Sequence, residues 1–181
     1  MMFDFTTLKF CPINPKHDRD YVLECHCKVN FECDTPWARD IGYAQYRANW
    51  FSDANQTDGF FNALTQSMND ARSIAHIIKT PTDDIVGYFW VPFYGDDPSF
   101  IWADVQDIYI EETHRGCGIA RYLMDYAEQQ AKQNGAKVIR SGTGCENTAS
   151  QKLHDKLGYY PYRVEYEKVL AENVFATFKP V

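Results

Sequence analysis

A change of hydrophobic period between residues 110 and 118 constrains this chain more than any other feature. Before it, residues 72–79, 85–93 and 100–110 read as strands, the first carrying Ile74, Ile77 and Ile78. The connections Thr80-Pro81-Thr82-Asp83-Asp84 and Gly95-Asp96-Asp97-Pro98 are short turns, so these strands form an antiparallel meander. After it, residues 118–134 read as an amphipathic helix with Ile119, Leu123, Ala127 and Ala131 at steps of four, closed by Asn134-Gly135. Residues 136–141 return to a strand. Strand, helix and strand within about forty residues make a βαβ unit, whose two strands run parallel. A meander feeding such a unit requires a mixed α/β (α+β) sheet, mostly antiparallel, with helices on both faces.

The flanking segments fit around that sheet. A strand is expected at residues 5–10, broken by Pro12 and Pro15. His17-Asp18 opens a helix to about residue 29 with Val22, Cys25 and Val29 on one stripe. Further helices are expected near 40–51 and 57–69. Asn147 caps another that Gly158 stops. Tyr162, Val164 and Tyr166 alternate with Arg163, Glu165 and Glu167, the pattern of a half-buried antiparallel strand, and residues 174–178 offer one more. No repeat or linker interrupts the chain, so residues 1–181 are expected to be one domain.

Charge narrows the partners. Eighteen basic against 25 acidic residues leave −7, with no basic cluster, which disfavours nucleic acid. Asp4 and Lys9 break the opening segment, so it does not read as a signal peptide. The longest apolar stretch, 85–94, is interrupted by Gly87 and Pro92 and is far short of a membrane span. Six cysteines in such a chain are expected as reduced thiols in a cytoplasmic protein. Cys25-His26-Cys27 with Cys33 invites a zinc reading. Residues two apart on a helix point to nearly opposite faces, however, so no metal is expected.

The chemistry concentrates between the last meander strand and the long helix, in Arg115-Gly116-Cys117-Gly118-Ile119-Ala120. Two glycines and an alanine at a strand-to-helix junction clear side chains from backbone amides, and the helix N-terminus adds about half a positive charge. Arg115 contributes a permanent cation. Pyrophosphate suits such a place. No P-loop is present, and Arg121 stands where a dinucleotide-binding fingerprint needs its third glycine.

The segment resembles the acetyl-coenzyme A signature of the GNAT acyltransferase superfamily, Gln/Arg-x-x-Gly-x-Gly/Ala. Gln106-Asp107-Ile108-Tyr109-Ile110 is similar to that family's central strand. Asn147-Thr148-Ala149-Ser150, with Leu153, His154 and Leu157-Gly158-Tyr159, is similar to its Asn-x-x-Ala/Ser helix. The resemblance implies a central parallel strand pair that splays, leaving Ile108 and Ile110 to pair through their backbones with pantetheine amides. Residues 115–120 would hold the pyrophosphate, and Asn147 and Ser150 would lie near the thioester; a plain helix cap stands beside that role for Asn147. It implies acetyl-CoA as co-substrate, no metal, and an amine as acceptor; a homodimer stays open.

Catalysis needs a base, because at pH 7 only about one alkyl amine in two thousand is neutral. Asp104 is the candidate, against a solvated strand-end carboxylate; with unbroken alternation it shares a face with Gln106, and Asp107 lies opposite. The oxyanion would meet a backbone N–H near Ile110. His154 stands where many members of the family carry a tyrosine that protonates the departing thiolate; local packing is the competing reading. The implied activity is an N-acetyltransferase. A transferase using another acyl-CoA or an O-acceptor, and a catalytically silent acyl-CoA sensor, are the alternatives.

Overall fold

In the computed structural model, which describes residues 4–168 and 170, two sheets share one long interrupted hairpin. The elements in chain order are β1 (Lys9–Pro12), α1 (Arg19–Cys33), α2 (Pro36–Asp40), α3 (Tyr43–Ser52), α4 (Ala54–Ser67), β2 (Ile74–Lys79), β3 (Ile85–Val91), β4 (Phe93–Tyr94), β5 (Trp102–Val105), β6 (Asp107–Ile110), α5 (Ile119–Gln133), β7 (Val138–Ser141) and α6 (Thr148–Lys156). One sheet has the order β1-β2-β3-β6, all antiparallel; the other is β4-β5-β7, with β5 and β7 parallel. The expected βαβ unit is therefore β5/β6–α5–β7, and its strands do run parallel.

Helices cover both faces. Leu123, Met124 and Ala127 of α5 pack with Ile78, Phe89, Ala103, Val105 and Ile110. On the other side Val22, Leu23, Cys25 and Cys27 of α1 and Leu64 of α4 pack with Ile77, Tyr88, Trp90 and Tyr109. Alternation along the buried strands sorts side chains between these two cores.

The structure corrects several boundaries. The first strand begins at Lys9, because Asp4 accepts from the Thr6 amide and turns residues 5–7 into a short 3₁₀ helix. The helix expected near 40–51 is α3, which starts at Tyr43 after Gly42 at φ +79°, and a separate short helix, α2, precedes it. The expected strand at 162–166 is not formed. Tyr160, Tyr162 and Tyr166 are largely exposed, and residues 159–168 take no regular structure. Alternation specifies the faces a strand would present, but a strand exists only by pairing, and none of the described strands pairs with this segment. The strand expected at 174–178 lies outside the described residues.

The most consequential difference is in the central strand. Residues 100–110 do not run unbroken, because Gln106 interrupts them. Phe93 opposes Ala103 and Trp90 opposes Asp107, so three steps on one arm of the hairpin face four on the other. That extra residue is a β-bulge, and the Gln106 amide donates to the Trp90 carbonyl at 3.1 Å within it. Parity flips across the bulge. Ala103 and Val105 face α5, as do Ile108 and Ile110, whereas Tyr109 faces α1. Asp104 and Asp107 thus share a face, reversing the expectation drawn from unbroken alternation.

Candidate active site

The bulge splits the parallel pair. β5 pairs with β7 from Trp102↔Val138 to Val105↔Ser141, and there the pairing ends. β6 continues beside β3 alone. The Glu111 amide donates to the Val86 carbonyl at 2.8 Å. Hydrogen-bonded pairs alternate along an antiparallel ladder, so Tyr109 bonds Tyr88 while Ile108 and Ile110 turn their N–H and C=O away from β3. Their backbone groups face the splay.

Beyond β6 the chain turns through the glycine-rich segment. Gly116 and Gly118 have φ of +80° and +92°, a left-handed conformation costly for any residue with a Cβ. Gly118 is the N-cap of α5, and no side chain caps that helix. Among the described residues no side chain accepts from its first amides, which leaves them facing outward at the positive end of the helix. Ile119 is buried in the α5 core and Ala120 packs against that core, anchoring the turn, while Cys117 Sγ bonds the His114 carbonyl at 2.8 Å. Arg115 folds back: its Nε donates to the Ile110 carbonyl at 2.9 Å and its Nη1 lies 3.4 Å from Glu32.

Across the splay, Asn147 does two things. Its Oδ1 accepts from the Ser150 amide at 3.1 Å, the cap reading, and its Nδ2 reaches Cys33 Sγ at 3.8 Å. The loop before it is pressed onto the end of α1, since a Cβ on Gly144 would stand 2.4 Å from the Cys33 carbonyl oxygen. An Arg39–Glu146 ion pair closes the same contact. A cleft of about 600 Å³ lies here, lined by Arg39, Arg115, Glu146, Asn147 and their neighbours. A smaller cavity of about 270 Å³, lined by Lys28, Phe31, Glu32, Tyr43, Glu112 and Arg115, adjoins it through shared Phe31, Glu32 and Arg115.

The proposed catalytic pair is not brought together in either cavity. Asp104 sits at the β5 end, bonded by Gln106 Nε2 at 3.0 Å. Burial raises its carboxyl above the usual range, an effect that the Gln106 bond and the Arg140 charge partly offset. His154 Nδ1 donates to the Ser150 carbonyl at 2.7 Å, near Ser150 Oγ at 3.4 Å. Its buried Nε2 has no hydrogen-bond partner.

Sequence reasoning missed a buried cluster behind β6. Asp107 is 3% exposed, and its Oδ2 accepts from His26 Nδ1 at 2.6 Å and from the Tyr88 hydroxyl. His26 Nε2 in turn accepts from Asn30 Nδ2 at 3.0 Å, and its ring stacks on Phe60 at 3.5 Å. This cluster ties α1 to the strand bearing Ile108 and Ile110. An aspartate inside an apolar strand was the available signal, since buried carboxylates require partners. Its neighbours Cys25 and Cys27 are buried thiols pushed up by burial to about 12 and about 11. Among the described residues no group of three or more His, Cys, Asp or Glu is placed to hold a metal ion, and no helix is long and apolar enough to cross a membrane.

The site is thus a parallel pair that separates after Val105, a left-handed glycine turn, and a long helix that begins at Gly118. The model of the acetyltransferase (GNAT) family matches residues 32–159, and the chain belongs to that family. An uncharacterized N-acetyltransferase of Methanocaldococcus jannaschii is 22% identical over 150 residues, covering 80% of this chain and 57% of its own length. The chain thus spans little more than half of that curated relative. Among solved structures, a Bacillus subtilis protein described as a candidate acetyltransferase superposes with a TM-score of 0.66 at 21% identity, covering 92% of this chain and all of that one. An aminoglycoside N-acetyltransferase solved with CoA gives 0.57 at 16% identity, over 91% and 95% of the two chains.

Proposed function

We propose that this protein moves the acetyl group of acetyl-CoA directly onto a primary amine. The observation that carries the reading is the bulge at Gln106, which turns the backbones of Ile108 and Ile110 toward the splay immediately before a left-handed glycine turn. Ile108 and Ile110 pair with the pantetheine arm as an added strand would, and residues 115–120 receive the pyrophosphate. All six cysteines are free, which suits a reducing, cytoplasmic compartment.

In transfer, the amine nitrogen attacks the thioester carbonyl, a C–N bond forms and the C–S bond breaks. Asp104 takes the proton the amine loses, and its raised pKa makes it the better base. The thiolate takes its proton from Nε2 of His154, which carries one only in the imidazolium form because Nδ1–H is committed to the Ser150 carbonyl; the step leaves neutral imidazole and the free thiol. Thiol release from acetyl-CoA over a panel of amines tests the proposal. Amine-dependent release is expected; tight acetyl-CoA binding without release from any amine would favour the silent sensor.

Two variants separate the roles. Asp104→Asn keeps the Gln106 bond and should cut kcat/KM by about 10²-fold or more. It should also raise the melting temperature at pH 7. A carboxyl with a raised folded pKa penalises folding above that pKa and not below its unfolded value near 3.9, so the gain should vanish in acid. A gain that persists at pH 3 would contradict this assignment. His154→Ala should lower kcat by about 10²-fold with acetyl-CoA affinity kept, and His154→Tyr should restore much of it. Wild-type kcat in the alanine variant across the pH range would reduce His154 to packing.

A further inference from the structure

Arg115 has two engagements in this structure, and both lie where the co-substrate is proposed to bind. Its Nε donates to the Ile110 carbonyl at 2.9 Å, and that carbonyl faces the splay. Its Nη1 lies 3.4 Å from Glu32 Oε1 on α1, and its guanidinium stands 5.5 Å over the Tyr109 ring. Glu32 and Arg115 together line both cavities, so the pair forms the partition between the cleft beside Asn147 and the smaller cavity beside Tyr43.

We propose that Glu32 is a positioning residue that competes with the co-substrate's pyrophosphate for Arg115, so that binding withdraws one side chain from Ile110 and from the partition together. This rests on the acetyl-CoA reading above. Nε and Nη1 are already engaged at Ile110 and Glu32, so an anion at the amides of residues 116–120 that draws the guanidinium toward itself draws it away from both. The Arg115–Glu32 pair is long, and its side chains are 43% and 48% exposed, so it yields readily to a doubly charged anion. Moving Arg115 frees the Ile110 carbonyl for the pantetheine arm and opens the small cavity to the thioester side. Capture of the phosphates is thereby coupled to formation of the acceptor path, with Glu32 left as a free carboxylate on its wall.

The test is a double-mutant cycle read by calorimetry of acetyl-CoA binding to the full chain. Glu32→Gln should tighten binding by about three-fold, because it removes the competitor. Arg115→Gln should weaken it by about tenfold or more, because charge-assisted bonds to the anion are lost. In the Arg115→Gln background, Glu32→Gln should have no further effect. Tightening that persists there would mean that Glu32 merely repels the incoming anion, and the competition would be overturned. So would unchanged affinity in the single Glu32→Gln variant. Failure of the wild-type chain to bind acetyl-CoA at all would instead remove the co-substrate reading beneath the proposal. Both side chains are about half exposed, so neither substitution empties a core, and thermal melts of each variant check that.

Discussion

Replacing Asp107 with alanine is expected to destabilise the protein by about 3–5 kcal/mol. The substitution removes the common acceptor of His26 and Tyr88 and strands both donors in the interior, where an unmade bond costs about 1–3 kcal/mol each. At this chain length each kcal/mol lowers the melting temperature by about 2–4 °C, so the midpoint should fall by about 6–20 °C. Tyr88→Phe removes one donor and leaves the carboxylate bonded to His26, and should cost about 1 kcal/mol. An Asp107→Ala variant melting within about 2 °C of wild type would show that the cluster does not hold α1 against β6. The expected loss is large because it falls on two buried donors at once; further along, α1 is also held by Lys28 Nζ to the Tyr109 hydroxyl at 3.1 Å and the Tyr21 hydroxyl to Glu111 at 2.9 Å, which the substitution leaves in place.

The second large effect is expected at Gly118. Valine there must adopt φ near +92°, which a β-branched residue tolerates only at a cost of about 1–3 kcal/mol. A Cβ at this position meets nothing closer than the edge of the Phe5 ring at 3.4 Å, so alanine fits there without a clash. What changes is the surface offered by the first amides of α5. Losing two charge-assisted backbone bonds to the pyrophosphate corresponds to about 3 kcal/mol or more, hence at least about 100-fold in acetyl-CoA affinity. Gly118→Ala carries the same strain in milder form and should fall between valine and wild type. A folded Gly118→Val protein that binds acetyl-CoA as wild type does would take the pyrophosphate away from this turn.

These two sites also show what a sequence can and cannot disclose. Gly116 and Gly118 were legible because a left-handed backbone restricts residue choice, and the restriction is written locally. The βαβ unit was legible because α5 repeats its apolar residues at steps of four. The bulge was not, since one extra residue in a strand has no composition of its own and Gln106 carries no mark of it. Its consequence, the flip that puts Asp104 and Asp107 on one face, follows from pairing with β3 and β4 alone. The His26–Asp107 bond joins residues 81 apart, and in sequence His26 drew notice only as the middle of a thiol pair. The alternation at 162–166 was read correctly as a pattern, but the pattern does not supply the neighbour that would make it a strand.

On the proposed function, Ile108 and Ile110 offer their backbones to the co-substrate across the splay. Amide hydrogen exchange, followed residue by residue with and without saturating acetyl-CoA, tests it most directly. The predicted result is slowed exchange at the Ile108 or Ile110 amide and at residues 116–120, with Tyr109, already bonded to β3, unchanged. Saturation confirmed by calorimetry with no change in exchange at any of these amides would contradict the account.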